Sequence, residues 1–373
     1  MIRLILLILL LLFALLTIFK APTYHAWLAA IVATEFCMVF VILTGLLLLS
    51  GFWVTKHQVA ATVTGVVAFL LFLSPLVRAA IISNNLGKNL SLSFGGNAET
   101  SSAFSFWSLI SRANTKTVIP QKLTYISYQD KKLGLDFYPS QLSGPRPCVI
   151  VVHGGSWKSG DNTQLPELNS YLASEGYHVA AINYRLAPQY QSPYPVEDIK
   201  SAFSYLKLKS IELQIDTSQL VLLGRSAGAQ IALVAAYTLK EPGLKGVIDF
   251  YGPADMVWGY SIPSNPLIMD SRKVMEDYLG GPYKAVPQNY EQSSAILHVS
   301  KNSVPTLIIH GENDVLVAYE HSRRLRKKLA ENGIPNYFLS LPWATHGFDF
   351  NINGPGGQLS TFAVKQFLKQ VTK

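Results

Sequence analysis

A serine in the second half of the chain has the surroundings of a nucleophile. Ser226 is the middle residue of Gly224-Arg225-Ser226-Ala227-Gly228, which follows the apolar run Leu220–Leu223 and precedes a run of small residues at 230–236. The first run predicts a buried strand, and the second predicts a helix packed on a sheet. Glycines permit a tight turn between them, and a serine on such a turn presents its hydroxyl outside the sheet. Ser226 is therefore the predicted nucleophile.

An acid and a base follow this serine, each in a loop directly after a predicted strand. Asp314 ends the segment His310-Gly311-Glu312-Asn313-Asp314, and His346 lies in Thr345-His346-Gly347-Phe348. The order serine, aspartate, histidine, with gaps of 88 and 32 residues, allows all three to meet at the carboxyl edge of one sheet. In such a set the histidine removes the proton of the serine hydroxyl, and the aspartate orients the histidine. We predict these roles for His346 and Asp314.

A third loop supplies candidate donors for a developing negative charge. The segment His153-Gly154-Gly155-Ser156-Trp157 directly follows the apolar run Cys148–Val152. Small residues let backbone N–H groups approach an oxyanion closely, and the residue after the nucleophile contributes another N–H group. His153 itself is expected to support this loop rather than to react. The predicted oxyanion hole comprises Gly154, Gly155, Ser156 and Ala227.

From about residue 120 onward, apolar strands alternate with helical patterns, which predicts an α/β domain with a mainly parallel sheet flanked by helices. Strands are predicted at 124–128, 133–138, 148–152, 178–184, 220–223, 247–250, 305–309 and 337–341, and a last helix at 359–371. About 50 residues between two of these strands exceed an ordinary loop and predict a cap insertion at about 254–300. Its apolar residues are expected to close a pocket above Ser226; they are Trp258, Tyr260, Ile262, Leu267, Ile268, Met269, Tyr278 and Leu279.

Five ordered motifs make residues 120–373 resemble the α/β-hydrolase fold, and within it the hormone-sensitive-lipase-like carboxylesterases and the related feruloyl-esterase-like group. The motifs are H-G-G-S-W at 153–157, Y-R-L-A-P at 184–188, G-R-S-A-G at 224–228, H-G-E-N-D at 310–314 and H-G-F at 346–348. The resemblance implies serine-dependent hydrolysis of carboxylic esters with short acyl groups, through an acyl-enzyme intermediate and without a cofactor. Ser156, Arg225 and Ala229 depart from the family pattern, and these departures concern substrate preference more than the reaction.

Other functions share these motifs and stay open at this point. A membrane-associated acyltransferase or a glycan deacetylase would use the same three residues. A serine peptidase of the prolyl-oligopeptidase kind shares their order but normally carries a large additional β-rich domain. A catalytically inactive binding protein would not need the intact set. His310 and His321 lie near Asp314 in sequence but lack a metal-ligand spacing, so no metal is expected.

Three apolar runs fill the N-terminal part, at 4–19, 26–54 and 59–76. A bilayer core about 30 Å thick needs about 20 helical residues, so we predict about three transmembrane helices and contact with a lipid bilayer. The first run also fits the core of a cleaved signal peptide, although no small-residue cleavage pattern follows Phe19. Glu35 is costly in lipid and is expected to mark a bundle-facing or interfacial position, or a functional site in the membrane.

The sequence thus divides into a transmembrane segment (1–82), a linker rich in Ser, Asn and Gly (83–116) and a catalytic domain (117–373). Because every motif lies in the last part, a fragment starting near Asn114 is expected to be soluble and active. The balance of basic residues leaves open which side of the membrane the catalytic domain faces. The net charge of +8 divides equally between 1–115 and 116–373, so no nucleic-acid partner is expected. The oligomeric state is left open.

Overall fold

The computed structural model of the chain describes residues 1–53, 56–97, 101–111 and 117–372. Residues 98–100 and 112–116 of the predicted linker, and with them Asn114, lie outside the described residues. The helices of the N-terminal part are α1 (Ile2–Ala14), α2 (Tyr24–Glu35), α3 (Cys37–Leu49) and α4 (Gln58–Phe94).

Helices α1 and α3 pack against the first half of α4 and form an apolar three-helix bundle. Phe13, Phe40 and Phe72 meet in its interior, with ring centroids 4.9 Å apart for the first two and 5.1 Å apart for the last two. At one end of the bundle, the Arg3 guanidinium donates to the carbonyl oxygens of Leu47 (2.9 Å) and Leu48 (3.3 Å). These carbonyls lie in the last turn of α3. Arg3 therefore ties α1 to α3.

Fewer helices than predicted could cross a membrane. Within the described residues, α4 is long and apolar enough by itself, and α2 with α3 would add a second span only if a 78° bend between them is allowed. Helix α1 has 13 residues, fewer than the roughly 20 that a bilayer requires. The prediction of about three transmembrane helices is not confirmed, because the apolar run 26–54 forms two helices of different direction.

Helix α2 leaves the bundle and packs against the catalytic domain. Its last residue, Glu35, is buried, and its carboxylate accepts hydrogen bonds from the Gly356 N–H (2.9 Å) and the Trp343 indole N–H (3.3 Å). The Asn351 amide donates to the Glu35 carbonyl oxygen over 2.8 Å. Glu35 faces the catalytic domain and not the bundle, because the bend at Phe36 directs it there; the alternatives of an interfacial position and of a functional membrane site stay predictions.

Helix α4 extends past the predicted boundary at residue 82. Its second half packs on the C-terminal helix of the catalytic domain, where Phe94 meets Phe367 with ring centroids 4.8 Å apart. Leu86 and Leu90, four residues apart on one helix face, are fully buried there. The Ser and Asn residues among 83–94 suggested a linker, but this apolar face keeps the segment helical. The linker therefore begins after Phe94.

In the part of the chain that the structure describes, eight strands form one sheet in the order β1-β2-β4-β3-β5-β6-β7-β8. The strands are β1 (Gln121–Ser127), β2 (Lys132–Tyr138), β3 (Arg146–Val152), β4 (His178–Ile182), β5 (Ile215–Arg225), β6 (Leu244–Phe250), β7 (Thr306–Gly311) and β8 (Asn336–Leu341). The pairs β1–β2 and β2–β4 are antiparallel, and the others are parallel. The predicted, mainly parallel sheet is confirmed, and each predicted strand overlaps an observed one.

Helices cover both faces of this sheet. They are α5 (Pro166–Ser174), α6 (Tyr194–Leu208), α7 (Ser210–Leu213), α8 (Ala227–Thr238), α9 (Met256–Ser261), α10 (Ser271–Leu279), α11 (Pro287–Ser293), α12 (Glu320–Glu331) and α13 (Pro355–Val371). Alternate residues of β3 point to opposite faces: Ile150 belongs to the hydrophobic cluster that contains α6 and α8, and Val151 to the one that contains α5 and α13. Helices α9, α10 and α11 lie in the predicted cap insertion between β6 and β7.

A buried carboxyl group in β6 links the stability of this domain to pH. Asp249 is fully buried; its Oδ1 accepts from the Gly252 N–H (2.8 Å), and its Oδ2 has no partner among the described residues. Burial raises the pKa of Asp249 to about 7. The folded state holds the Asp249 proton more tightly than the unfolded state does. The resulting stabilisation of the folded state is fully present below the unfolded-state pKa of about 4 and is lost as the pH rises through about 7.

We expect Asp249→Asn to match the parent near pH 4 and to exceed it in stability by about 2–4 kcal/mol near pH 8, because the amide cannot ionise. The measurement is the free energy of unfolding of the full chain in detergent, by urea titration at both pH values. Asp130→Asn, at an exposed position, is the matched control. A difference between parent and Asp249→Asn that does not change with pH would contradict this account.

Candidate active site

The turn between β5 and α8 presents Ser226 at the carboxyl edge of the sheet. Ser226 has a φ of 55°, which residues with a Cβ atom rarely adopt and which the surrounding packing must enforce. Gly228 permits the close packing of this turn against the end of β3, since a Cβ atom there would lie 2.3 Å from the carbonyl oxygens of Val152 and His153. The loop after β3 is thereby brought next to the serine.

Ser226, His346 and Asp314 form one hydrogen-bonded series. His346 Nε2 lies 2.9 Å from Ser226 Oγ, and His346 Nδ1 lies 2.7 Å from Asp314 Oδ2. His346 and Asp314 are buried, whereas Ser226 is partly exposed. These distances suit a nucleophile, a base and a group that orients the base. The structure brings together the three residues that the sequence selected.

The Asp314 carboxylate is held from several sides. Its Oδ1 accepts from the N–H groups of Leu316 (2.8 Å) and Val317 (2.9 Å), and its Oδ2 also lies 3.1 Å from His310 Nε2. Burial by itself raises the pKa of Asp314, but the charge of His346 and hydrogen bonds from His310 and His346 outweigh burial and hold the pKa well below its usual range. Asp314 is therefore ionised at neutral pH and can stabilise a positive charge on His346.

An ion pair joins the nucleophile turn to the loop that carries His346. Arg225 Nε lies 2.6 Å from Asp349 Oδ2, and both side chains are nearly fully buried. The Tyr251 hydroxyl donates to Asp349 Oδ1 over 2.5 Å, and the Tyr251 ring packs on the His346 imidazole with centroids 4.4 Å apart. Arg225, which departs from the family pattern, therefore has a structural partner only three residues after His346.

Helix α2 supports the same loop from the N-terminal side. The indole N–H of Trp27 donates to the carbonyl oxygen of His346 over 2.9 Å. With the contacts of Glu35 at the other end of the helix, α2 holds the His346 loop at two points. The sequence predicted no role in the active site for any residue before 117. Trp27 could not be predicted, because a contact between residues 319 apart leaves no local pattern.

The predicted oxyanion donors differ in availability. The N–H of Gly154 donates to Gln164 Oε1 over 2.8 Å, so this predicted donor is already engaged. Within the described part of the chain, no hydrogen bond engages the N–H groups of Gly155, Ser156 or Ala227. Gly155 has a φ of 121°, a conformation that suits only glycine. The three free N–H groups remain candidates for binding an oxyanion, and Gly154 does not.

A cavity of about 520 Å³ adjoins Ser226, a volume typical of small-molecule sites. Three of the predicted cap residues, Ile262, Ile268 and Met269, line it. The other predicted cap residues pack within the cap, contact other side chains or face outward; they are Trp258, Tyr260, Leu267, Tyr278 and Leu279.

The N-terminal segment also contributes to this cavity. Lys20, Ala21 and Pro22, between α1 and α2, line it together with Ser226. The sequence placed the whole site beyond residue 117, and this boundary was wrong for the cavity wall. The reason is that α2 folds back on the catalytic domain and carries the preceding loop to the site.

Histidines near the site have structural surroundings. Among the described residues, no group of three or more His, Cys, Asp or Glu side chains is placed to hold a metal ion. His321 lines the cavity, and burial lowers its pKa to about 3, so the neutral ring accepts a hydrogen bond from the Asp255 N–H (3.3 Å) at Nδ1. His153 stacks on Tyr184 with ring centroids 4.3 Å apart. His153 thus supports the loop, as expected.

Known proteins resemble this domain in sequence and in fold. The chain matches the family described as BD-FAE over residues 135–329. Probable carboxylic ester hydrolase LipM and esterase LipC of Mycobacterium tuberculosis are each 28% identical to it, over 245 and 244 residues. These matches cover 62% and 61% of this chain but only 56% and 59% of the relatives, so the chain spans less than two thirds of their length.

A solved structure of similar fold comes from Pyrobaculum calidifontis. This esterase superposes with a TM-score of 0.61 at 20% identity and covers 79% of this chain and 94% of its own. The likeness confirms the α/β-hydrolase fold, with a mostly parallel sheet flanked by helices.

Because Trp27 fixes the carbonyl of His346, we expect Trp27→Phe to slow the reaction of Ser226 with a fluorophosphonate probe about fivefold. The substitution removes one hydrogen bond, worth about 1 kcal/mol, and keeps an aromatic ring. The measurement is the labelling rate constant of the full chain in detergent. The fraction finally labelled should not change, whereas partial unfolding would lower it.

Trp53→Phe is the matched control, since Trp53 is 80% exposed. An unchanged rate constant in Trp27→Phe, or an equal loss in both variants, would show that α2 does not position His346.

Proposed function

The chain belongs to the BD-FAE family, and we propose that it hydrolyses carboxylic esters with Ser226 as the nucleophile. The series Ser226–His346–Asp314, closed by hydrogen bonds of 2.9 and 2.7 Å, is the observation that carries this proposal. Relatives named as ester hydrolases support the same chemistry. The proposal also requires an oxyanion site and a substrate cavity beside the serine, and the geometry is compatible with both.

In the first half of the proposed reaction, Ser226 Oγ attacks the carbonyl carbon of the ester while His346 Nε2 takes the hydroxyl proton. The ionised Asp314 stabilises the imidazolium that forms. The N–H groups of Gly155, Ser156 and Ala227 donate to the negative oxygen of the tetrahedral intermediate. His346 then gives its proton to the departing alcohol, and an acyl group remains on Ser226.

In the second half, water replaces the alcohol. His346 removes a proton from the water molecule as its oxygen attacks the acyl carbon, and the same N–H groups bind the second oxyanion. When the intermediate collapses, the proton returns to Ser226 Oγ and the carboxylic acid leaves. The buried ion pair Arg225–Asp349 and the hydrogen bond from Trp27 keep the His346 loop in place through both halves.

We propose further that the N-terminal helices hold this domain at a membrane. All three bundle helices expose large apolar side chains on the outside, such as Leu9, Leu46 and Val63, each about three fifths exposed. Soluble proteins rarely expose continuous apolar patches of this extent. Retention of α1 is favoured over cleavage, because Arg3 caps α3 and the Thr17 hydroxyl donates to the Leu71 carbonyl oxygen (3.2 Å).

Ser226→Ala should lower ester turnover by about 10³-fold or more, because no other group would form the acyl-enzyme. The measurement is p-nitrophenyl butyrate hydrolysis by the full chain, with Ser204→Ala, an exposed serine, as the control. Turnover that persists at the parent rate in Ser226→Ala would place the nucleophile elsewhere.

We propose that the substrates carry short acyl groups, because the cap closes over the cavity and the related esterases favour such esters. Each added CH₂ contributes about 0.8 kcal/mol while it finds apolar surface and nothing after the wall is reached. The ratio kcat/KM on p-nitrophenyl esters should therefore peak at about two to six acyl carbons, by analogy with those esterases. A steady rise to about twelve carbons would contradict a closed acyl pocket.

A further inference from the structure

Two segments far apart in sequence border the open side of the cavity. Residues 19–24 comprise the end of the connection between α1 and α2 and the first residue of α2, and residues 262–269 lie in the cap loop between α9 and α10. They are joined by two hydrogen bonds: the Tyr24 backbone N–H donates to the Leu267 carbonyl oxygen (3.1 Å), and the Asn265 side-chain amide donates to the Pro22 carbonyl oxygen (3.1 Å). The two segments therefore form one continuous border, which we call the rim.

The cavity reaches solvent at this rim. Among the described residues that line the cavity, the exposed ones all belong to the rim: they are Lys20, Pro22, Ile262, Pro263 and Asn265. The lining residues at the opposite side, including Ala227, Asp314 and His321, are buried. The rim is therefore the most exposed part of the cavity wall and the most accessible route to Ser226.

The rim is apolar and aromatic on its outer surface. Phe19 is 60% exposed, Leu267 68% and Tyr24 45%, and Lys20 stands among them. Exposed apolar groups of this size mark surfaces that contact a partner or a membrane. Aromatic residues and lysine next to an apolar helix are typical of the boundary between lipid and water.

The short connection between α1 and the rim limits the distance between the rim and the bundle. The apolar bundle helix α1 continues through a short turn to Thr17, and Lys20 follows three residues later. Three residues span at most about 10 Å. If the bundle enters a bilayer, the rim therefore lies at the bilayer surface, with Phe19 and Leu267 against it.

We propose that the natural substrate is an ester anchored in the bilayer surface, which enters the cavity through the rim without leaving the membrane. This inference rests on the proposed ester hydrolysis. Because the acyl pocket is short in that proposal, the apolar anchor belongs to the alcohol part of the substrate. The reaction then releases a short, water-soluble acid and leaves the alcohol in the membrane.

The test compares two butyrate esters that differ only in anchoring. One is 4-methylumbelliferyl butyrate, which is soluble; the other is the butyrate of a hydroxycoumarin carrying a hexadecyl chain, held in phosphatidylcholine vesicles. The full chain, reconstituted in the same vesicles, should hydrolyse the anchored ester faster at equal bulk concentration. In Phe19→Ser/Leu267→Ser, the ratio of the anchored rate to the soluble rate should fall about tenfold, because two apolar contacts with the bilayer are lost.

The matched control is Leu142→Ser/Leu208→Ser, which removes two exposed leucines distant in sequence from the rim. An unchanged ratio in this control, with the loss in the rim variant, supports the proposal. Two results overturn the proposed entry from the membrane and leave ester hydrolysis standing. One is hydrolysis of the soluble ester with no preference for the anchored ester. The other is an equal fall of the rate ratio in both double variants. If the parent hydrolyses neither ester, the proposed function itself fails.

Discussion

The position of the His346 imidazole is the constraint on which the rest of the site depends. A histidine that must meet a serine on one side and an aspartate on the other tolerates little movement, because proton transfer requires hydrogen-bond distance on both sides. The loop that carries it has no regular secondary structure of its own at that residue. It is fixed by Asp314 from the loop after β7, by the Arg225–Asp349 ion pair from the nucleophile turn, and by Trp27 from α2.

This arrangement makes α2 and the segment before it part of the candidate active site. Helix α2 contacts the His346 loop at both ends, and the segment before it lines the cavity beside Ser226. A fragment that begins after the linker would expose the surface that receives Glu35 and would open the cavity on one side. The expectation that a fragment starting near Asn114 is soluble and keeps esterase activity stays a prediction, and these contacts weigh against it.

Much of this could be predicted from the sequence, because local patterns record it. The strands are apolar runs, the turn at Ser226 needs glycines, and the order of Ser226, Asp314 and His346 follows from the topology of the sheet. The roles of Trp27, Glu35 and Asp349 could not be predicted, since their partners are backbone groups and single side chains far away in the sequence. From the sequence, Glu35 was interpreted as a costly charge in lipid, because no local pattern indicates that the distant Gly356 N–H donates to its carboxylate. The full length of α4 was not predicted because residues 83–94 are rich in Ser and Asn. Their buried leucines nevertheless keep this segment helical.

If Ser226 carries the acyl group during turnover, the acyl-enzyme can be trapped by rapid-quench mass spectrometry of the full chain mixed with a short-chain ester. We expect a transient acyl adduct on the peptide that contains Ser226, formed before the acid appears in solution. Turnover with no adduct on any residue, or an adduct on a different peptide, would contradict it.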